Sequence, residues 1–127
     1  MTENEVAKIV VDAVYHIHVK MGPGLLESAY EMILEYELRK RGLRVERQVV
    51  VPVIYDDLVV RDAFRADLIV EDLLILELKS VEQMHPVYAK QLLTYLKLTG
   101  KRLGLLINFN TQLIRGGIIR VANGLPD

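Results

Sequence analysis

At Gly42 the hydrophobic pattern of the chain changes from a recurrence every three or four residues to β-branched runs, and this change restricts the fold more than any other feature. Before it, Val6, Ile9, Val10, Ala13, Val14 and Ile17 stand at helical spacing over 5–19. Met21-Gly22-Pro23-Gly24 breaks that helix, and Leu26, Ala29, Tyr30, Ile33, Leu34 and Leu38 mark a second over 25–41, closed by Gly42. After it, valine-, isoleucine- and leucine-rich runs are punctuated by Asp56-Asp57 and Glu71-Asp72, which predicts three antiparallel strands over 45–55, 58–70 and 73–80. His85-Pro86 opens a third helix that carries Tyr88, Leu92, Tyr95, Leu96 and Thr99 and closes at Gly100. Two further strands are expected over 103–109 and 113–121. The order α-α-β-β-β-α-β-β describes one α+β domain over residues 1–127, with a mixed sheet flanked by helices.

Composition narrows the chemistry. The absence of cysteine removes disulfides, thiolate nucleophiles and Cys-ligated metals. No apolar run approaches the roughly 20 residues of a membrane span, and Thr2, Glu3, Asn4 and Glu5 do not open a signal segment, so a cytoplasmic protein is expected. A net charge of -1 argues against a nucleic-acid binder that works by bulk charge. Any grip on a polyanion must come from local groups, such as Arg39, Lys40, Arg41, Arg44 and Arg47, or Lys101, Arg102, Arg115 and Arg120. Arg39, Lys40 and Arg41 equally suit the negative end of the second helix.

The third strand concentrates the chemical signal. Leu73-Leu74-Ile75-Leu76-Glu77-Leu78-Lys79 is otherwise apolar, yet Glu77 and Lys79 place two charges on one face. Such charges cost several kcal/mol each unless paired or metal-bound. One solution is an ion pair, of Glu77 with Lys79 or with Arg65. The other involves Asp67, which the turn at Glu71-Asp72 folds back toward Glu77. Two carboxylates offer Mg²⁺ or Mn²⁺ its hard oxygen ligands while leaving positions for water and a substrate phosphate. Lys79 alongside can stabilise charge on the reacting phosphate or help position the attacking water.

Asp67 followed by Glu77-Leu78-Lys79 resembles the paired motif of the PD-(D/E)XK nuclease superfamily, with Ala66 where the superfamily name has proline. Gly24-Leu25-Leu26-Glu27-Ser28-Ala29-Tyr30 resembles the signature of the GxxExxY group within it. The likeness continues through Arg47-Gln48, Arg65-Ala66-Asp67-Leu68, Gln91-Leu92-Leu93-Thr94-Tyr95 and Leu106-Ile107-Asn108-Phe109. The resemblance implies a restriction-endonuclease-like core and a metal-dependent nuclease acting on nucleic acid, DNA ahead of RNA. Its rival is a non-catalytic module of the same fold that binds nucleic acid or protein. Carried over residue by residue, the resemblance implies Glu27, Asp67, Glu77 and the Leu78 carbonyl as ligands of Mg²⁺ or Mn²⁺, with Lys79 as the catalytic lysine. Gln91 and Tyr95 match the QxxxY element of RecB-like nucleases. Glu27 also reads as a first-turn acid facing the helix dipole, and Tyr95 as a packed aromatic.

Three structural expectations follow. A two-residue turn at Glu71-Asp72 would pair Ala66 with Glu77 and leave Asp67 on the wrong face. The metal reading therefore needs a three-residue loop or a bulge that brings the Asp67 and Glu77 carboxylates within about 5 Å. His16, His18 and His85 are assigned to surface, capping or packing roles, with His18 the strongest exception because it resembles a recurrent histidine of the group. The 113–121 strand, with Ile114, Ile118, Ile119 and Val121, is expected at a sheet edge where a homodimer or a protein partner joins.

Overall fold

A computed structural model describes residues 1–126. Helix α1 (Glu3–Met21) starts at a capping box: the Thr2 hydroxyl accepts the Glu5 N–H, and the Glu5 carboxylate accepts the Thr2 N–H. Helix α2 (Glu27–Lys40) follows the Gly-Pro-Gly break. Strands β1 (Val45–Tyr55), β2 (Leu58–Val70) and β3 (Leu74–Lys79) come next, then α3 (Pro86–Thr99), β4 (Leu103–Asn108) and β5 (Ile118–Ala122).

The five strands form one mixed sheet in the order β1-β2-β3-β4-β5. Only β3 and β4 are parallel, and α3 supplies the crossover that such a pair requires. Gly104 on β4 lets α3 approach closely, since a Cβ there would stand 2.9 Å from Leu92. The helices cover opposite faces. On one, Val10, Val14, Tyr30 and Leu34 of α1 and α2 pack against Leu68, Leu74, Leu76 and Leu78. On the other, Leu92 and Leu96 of α3 pack against Ala66, Ile69, Ile75 and Leu106. Alternation along β3 therefore sends Glu77 and Lys79 to the α3 face.

The last expected strand is corrected. Residues Ile114–Gly117 form a 3-10 turn, and β5 begins only at Ile118. Ile114 is buried against the α1/α2 core, so its apolar character reflects packing of a turn and not a strand period. β5 does lie at the sheet edge, but it spans only five residues.

The β1–β2 ribbon changes faces along its length. Val45 and Val49 have the same parity on β1, yet Val45 belongs to the α1/α2 core and Val49 packs on the α3 core. Leu68 and Ala66 on β2 divide in the same way. The crossover lies at Gln48, whose backbone is left-handed (φ 55), opposite Asp67 by the register that joins Arg47↔Leu68 to Val49↔Ala66. Beyond it the ribbon continues as a two-stranded arm to a tight turn at Asp56-Asp57, where Tyr55 pairs with Leu58.

Candidate active site

The β2–β3 connection has three residues, because Val70 pairs with Leu74, Ile69 with Ile75 and Leu68 with Leu76. Continuing that register one step sets Asp67 opposite Glu77, the arrangement that a three-residue loop permits and a two-residue turn forbids. The paired register ends at Leu68, and beyond it the Asp67 side chain takes up a free backbone donor: the Leu78 N–H donates to Asp67 Oδ2 at 2.8 Å. That bond holds Asp67 between the strands and beside Glu77.

Glu77 is the most perturbed group here. It is 9% exposed, and its Oε1 is buried without a hydrogen-bond partner among the described residues. Burial raises its pKa from the ordinary glutamate range to about 9; the nearby charge of Asp67 and a hydrogen bond shared with it add to the rise, while Lys79 opposes it. Neither ion-pair solution forms: among the described residues Glu77 has no cation within salt-bridge distance. Lys79 Nζ instead sits 4.3 Å from the centre of the Tyr88 ring, where the ring face attracts the ammonium.

Two small clefts meet at Glu27 and Asp67. A cleft of about 210 Å³ is lined by Glu27, Arg65, Asp67, Glu77, Lys79, Tyr88, Gln91, Tyr95 and Leu106. Every side chain nominated from sequence thus borders one space, while Leu78 borders a second cleft of about 230 Å³ with Glu27, Ser28, Glu31, Gln48 and Asp67. Glu27 Oε2 accepts the Ser80 N–H at 3.3 Å, tying the start of α2 to the end of β3. Tyr30 fixes the preceding loop: its hydroxyl donates to the Gly22 carbonyl and accepts the Leu25 N–H, and its ring stacks on Phe109 at 4.3 Å. Tyr95 lines the cleft and stacks on Phe64 at 4.0 Å.

Sequence reasoning missed Glu31. It is buried, receives a hydrogen bond from the Gln48 side chain, and its pKa is raised, first by burial, with Asp67 adding to the rise. Gln48 also reaches Asp67 Oδ1 at 3.4 Å, so one amide bridges two acids at the point where the ribbon changes faces. The signal for Glu31 is its place one turn after Glu27 on α2, which puts both acids on one helix face. Gln48 carries no sequence signal of this geometry, because a left-handed non-glycine residue leaves none.

No histidine lines the cleft, although the His85 ring meets that of cleft-lining Tyr88 edge-on at 6.2 Å. His18 Nε2 bonds the Thr111 carbonyl at 2.7 Å, the His85 side chain caps α3 by accepting the Val87 N–H, and His16 lies 3.9 Å from Glu37. Much of the expected basic surface is internally paired: Arg39 with Glu35, Arg41 with Glu37, Arg44 with Glu71, Arg47 with Glu35, Lys101 with Asp72 and Arg102 with Glu3.

The donor chemistry fits a hard divalent cation. Asp67 and Glu77 present two adjacent carboxylates, one with an orphaned buried oxygen. Among the described residues no group of three or more His, Asp or Glu side chains makes a complete metal site. Two protein carboxylates are nevertheless a donor set of the kind Mg²⁺ uses when it keeps several waters. A family model of the PD-(D/E)XK nuclease superfamily matches residues 4–121. The chain belongs to that superfamily. Its α+β architecture, a mixed five-stranded sheet between helices, agrees with a restriction-endonuclease-like domain. No curated protein and no solved structure matches the chain. No helix is long and apolar enough to cross a membrane among the described residues.

Proposed function

We propose that this single domain is a cytoplasmic, metal-dependent nuclease that hydrolyses phosphodiester bonds, in DNA ahead of RNA, and that its finer likeness is to the GxxExxY group. The observation that carries the proposal is the buried Glu77 carboxyl beside Asp67, whose Oε1 has no hydrogen-bond partner among the described residues, in a chain of this superfamily. Asp67 and Glu77 would hold Mg²⁺ or Mn²⁺ with the Leu78 carbonyl, and Glu27 borders the same cleft. When bound, the ion supplies charge neutralisation at the phosphate and acidifies a water toward hydroxide.

The remaining work falls to the chain. Lys79, held over Tyr88 on the same face as Glu77, brings positive charge to a phosphate entering the cleft and favours the extra negative charge of the transition state. The Leu78 N–H keeps the Asp67 carboxylate oriented, and Gln48 restrains both Asp67 and Glu31. Gln91 and Tyr95 offer an amide and a hydroxyl along the α3 wall for orienting substrate. Arg65, at the cleft and without an ion pair among the described residues, gives a further contact for the polyanion. The test is cleavage of end-labelled DNA and RNA by wild type and Glu77→Ala with Mg²⁺, Mn²⁺ or EDTA. Cleavage by wild type that needs the ion and is lost in the variant supports the proposal. Equal activity of both proteins refutes it.

A further inference from the structure

Gln48 has a left-handed backbone (φ 55), and of the four described non-glycine residues that do, it alone lies inside a strand. Asp56, Glu71 and Asp72 sit in the two hairpin loops, where the chain must reverse. A left-handed backbone costs any side chain a clash that glycine avoids. The side chain carried at this cost is in use. Its Nε2 donates to Glu31 Oε1 and, at 3.4 Å, to Asp67 Oδ1, so each amide hydrogen serves one acid. The Leu78 N–H donates to the other Asp67 oxygen, Oδ2, at 2.8 Å. Asp67 is therefore held at both oxygens, from β1 on one side and β3 on the other.

We infer that Gln48 is a positioning residue: its strained backbone delivers a neutral amide that fixes the plane of the Asp67 carboxylate beside Glu77. Glycine would form the same turn without strain, so what glutamine adds at this point is its side chain. A carboxylate held at one oxygen still turns about its Cβ–Cγ bond, whereas donors on both oxygens fix it. An amide does this without charge. A lysine or arginine in its place would pair with Asp67 and repel a divalent cation. Glu31 completes the arrangement: it is buried on α2 and accepts the second amide hydrogen, so the amide cannot swing away without leaving a buried oxygen bare. Outer partners of this kind keep metal ligands in their working orientation, and losing one costs about 10–100-fold in affinity or activity. That consequence rests on the reading of Asp67 and Glu77 as ligands of a cation, whereas the hold on Asp67 does not.

The test compares Gln48→Gly and Gln48→Ala in the full chain. Both lose the amide, but only glycine takes the left-handed backbone freely, so urea denaturation should give Gln48→Gly a folding constant about tenfold above that of Gln48→Ala. In the metal-free protein, hydrogen exchange at the Leu78 N–H should be about tenfold faster in Gln48→Gly than in wild type, because Asp67 is then free to turn away. Exchange at Leu76, two residues back and paired with Leu68, should not change. Calorimetric titration should show Mn²⁺ binding to Gln48→Gly about 10–100-fold more weakly than to wild type. If Gln48 only shaped the turn, glycine would shape it better and both readings would match wild type. Unchanged Leu78 exchange or unchanged Mn²⁺ affinity in Gln48→Gly would overturn the inference, as would a Gln48→Ala more stable than Gln48→Gly. A wild type that binds no Mn²⁺ would refute the metal centre, and the Leu78 exchange rates would still decide whether Gln48 holds Asp67.

Discussion

Replacing Glu77 by Gln without divalent ions should change how stability depends on pH. Glu77 is 9% exposed and its carboxyl is pushed up to about 9, so the folded state holds a proton that the unfolded chain releases near the ordinary glutamate value. The sign follows directly: the stabilising contribution is complete below the unfolded value and is lost as pH rises through the folded one. Between those limits each pH unit removes up to about 1.4 kcal/mol, so moving from pH 6 to pH 8 removes roughly 3 kcal/mol. For a chain of this size that is a fall in melting temperature of about 10 °C. Glu31 is raised as well and contributes in the same direction, whereas Glu3, Glu5 and Asp72 are lowered and act only at acid pH. The assay is urea denaturation at pH 6, 7 and 8 in EDTA. Wild type should lose stability steeply, Glu77→Gln should keep only the shallower slope due to Glu31, and the variant should be the more stable protein at pH 8. Parallel slopes for the two proteins would refute the burial and charge crowding described for Glu77.

Asp67→Asn should abolish any rise in melting temperature on adding Mg²⁺, and without metal should shrink the loss of stability between pH 6 and pH 8, because the Asp67 charge adds to the rise of the Glu77 pKa, both read by calorimetry. Lys79→Met should lower the cleavage rate by about 10²–10³ while leaving metal affinity within a few-fold of wild type, the separation expected if Lys79 acts on the phosphate. Tyr30→Phe loses the bonds to Gly22 and Leu25 and should cost about 1–3 kcal/mol in chemical denaturation, with its ring stack on Phe109 retained.

The order of elements was legible because each has a clear period: three or four for α1 and α2, β-branched runs for β1 to β3, and the His85-Pro86 start and Gly100 end for α3. The Asp67–Glu77 register was legible only as a choice between two loop lengths. The structure makes it with left-handed Glu71 and Asp72 and a third residue, Leu73. β5 was misplaced because Ile114, buried in a 3-10 turn, looks the same in sequence as a strand residue. The change of faces at Gln48 was invisible, since nothing local marks a left-handed glutamine, and Glu31 was not singled out because only that turn brings Gln48 over it. The exposed arm was hidden for a related reason. Ile54 and Val59 belong to the apolar runs that mark the first two strands, and only the end of β2–β3 pairing at Leu68 leaves them without a layer to cover them.

The central claim is that Asp67 and Glu77 form a divalent-cation centre, and calorimetric titration of Mn²⁺ or Mg²⁺ into the purified protein tests it most directly. One ion should bind per chain with release of protons at pH 7, because Glu77 must give up the proton it holds when metal-free. Glu77→Ala should bind none. Absence of binding to wild type, or equal binding to Glu77→Ala, would contradict the account.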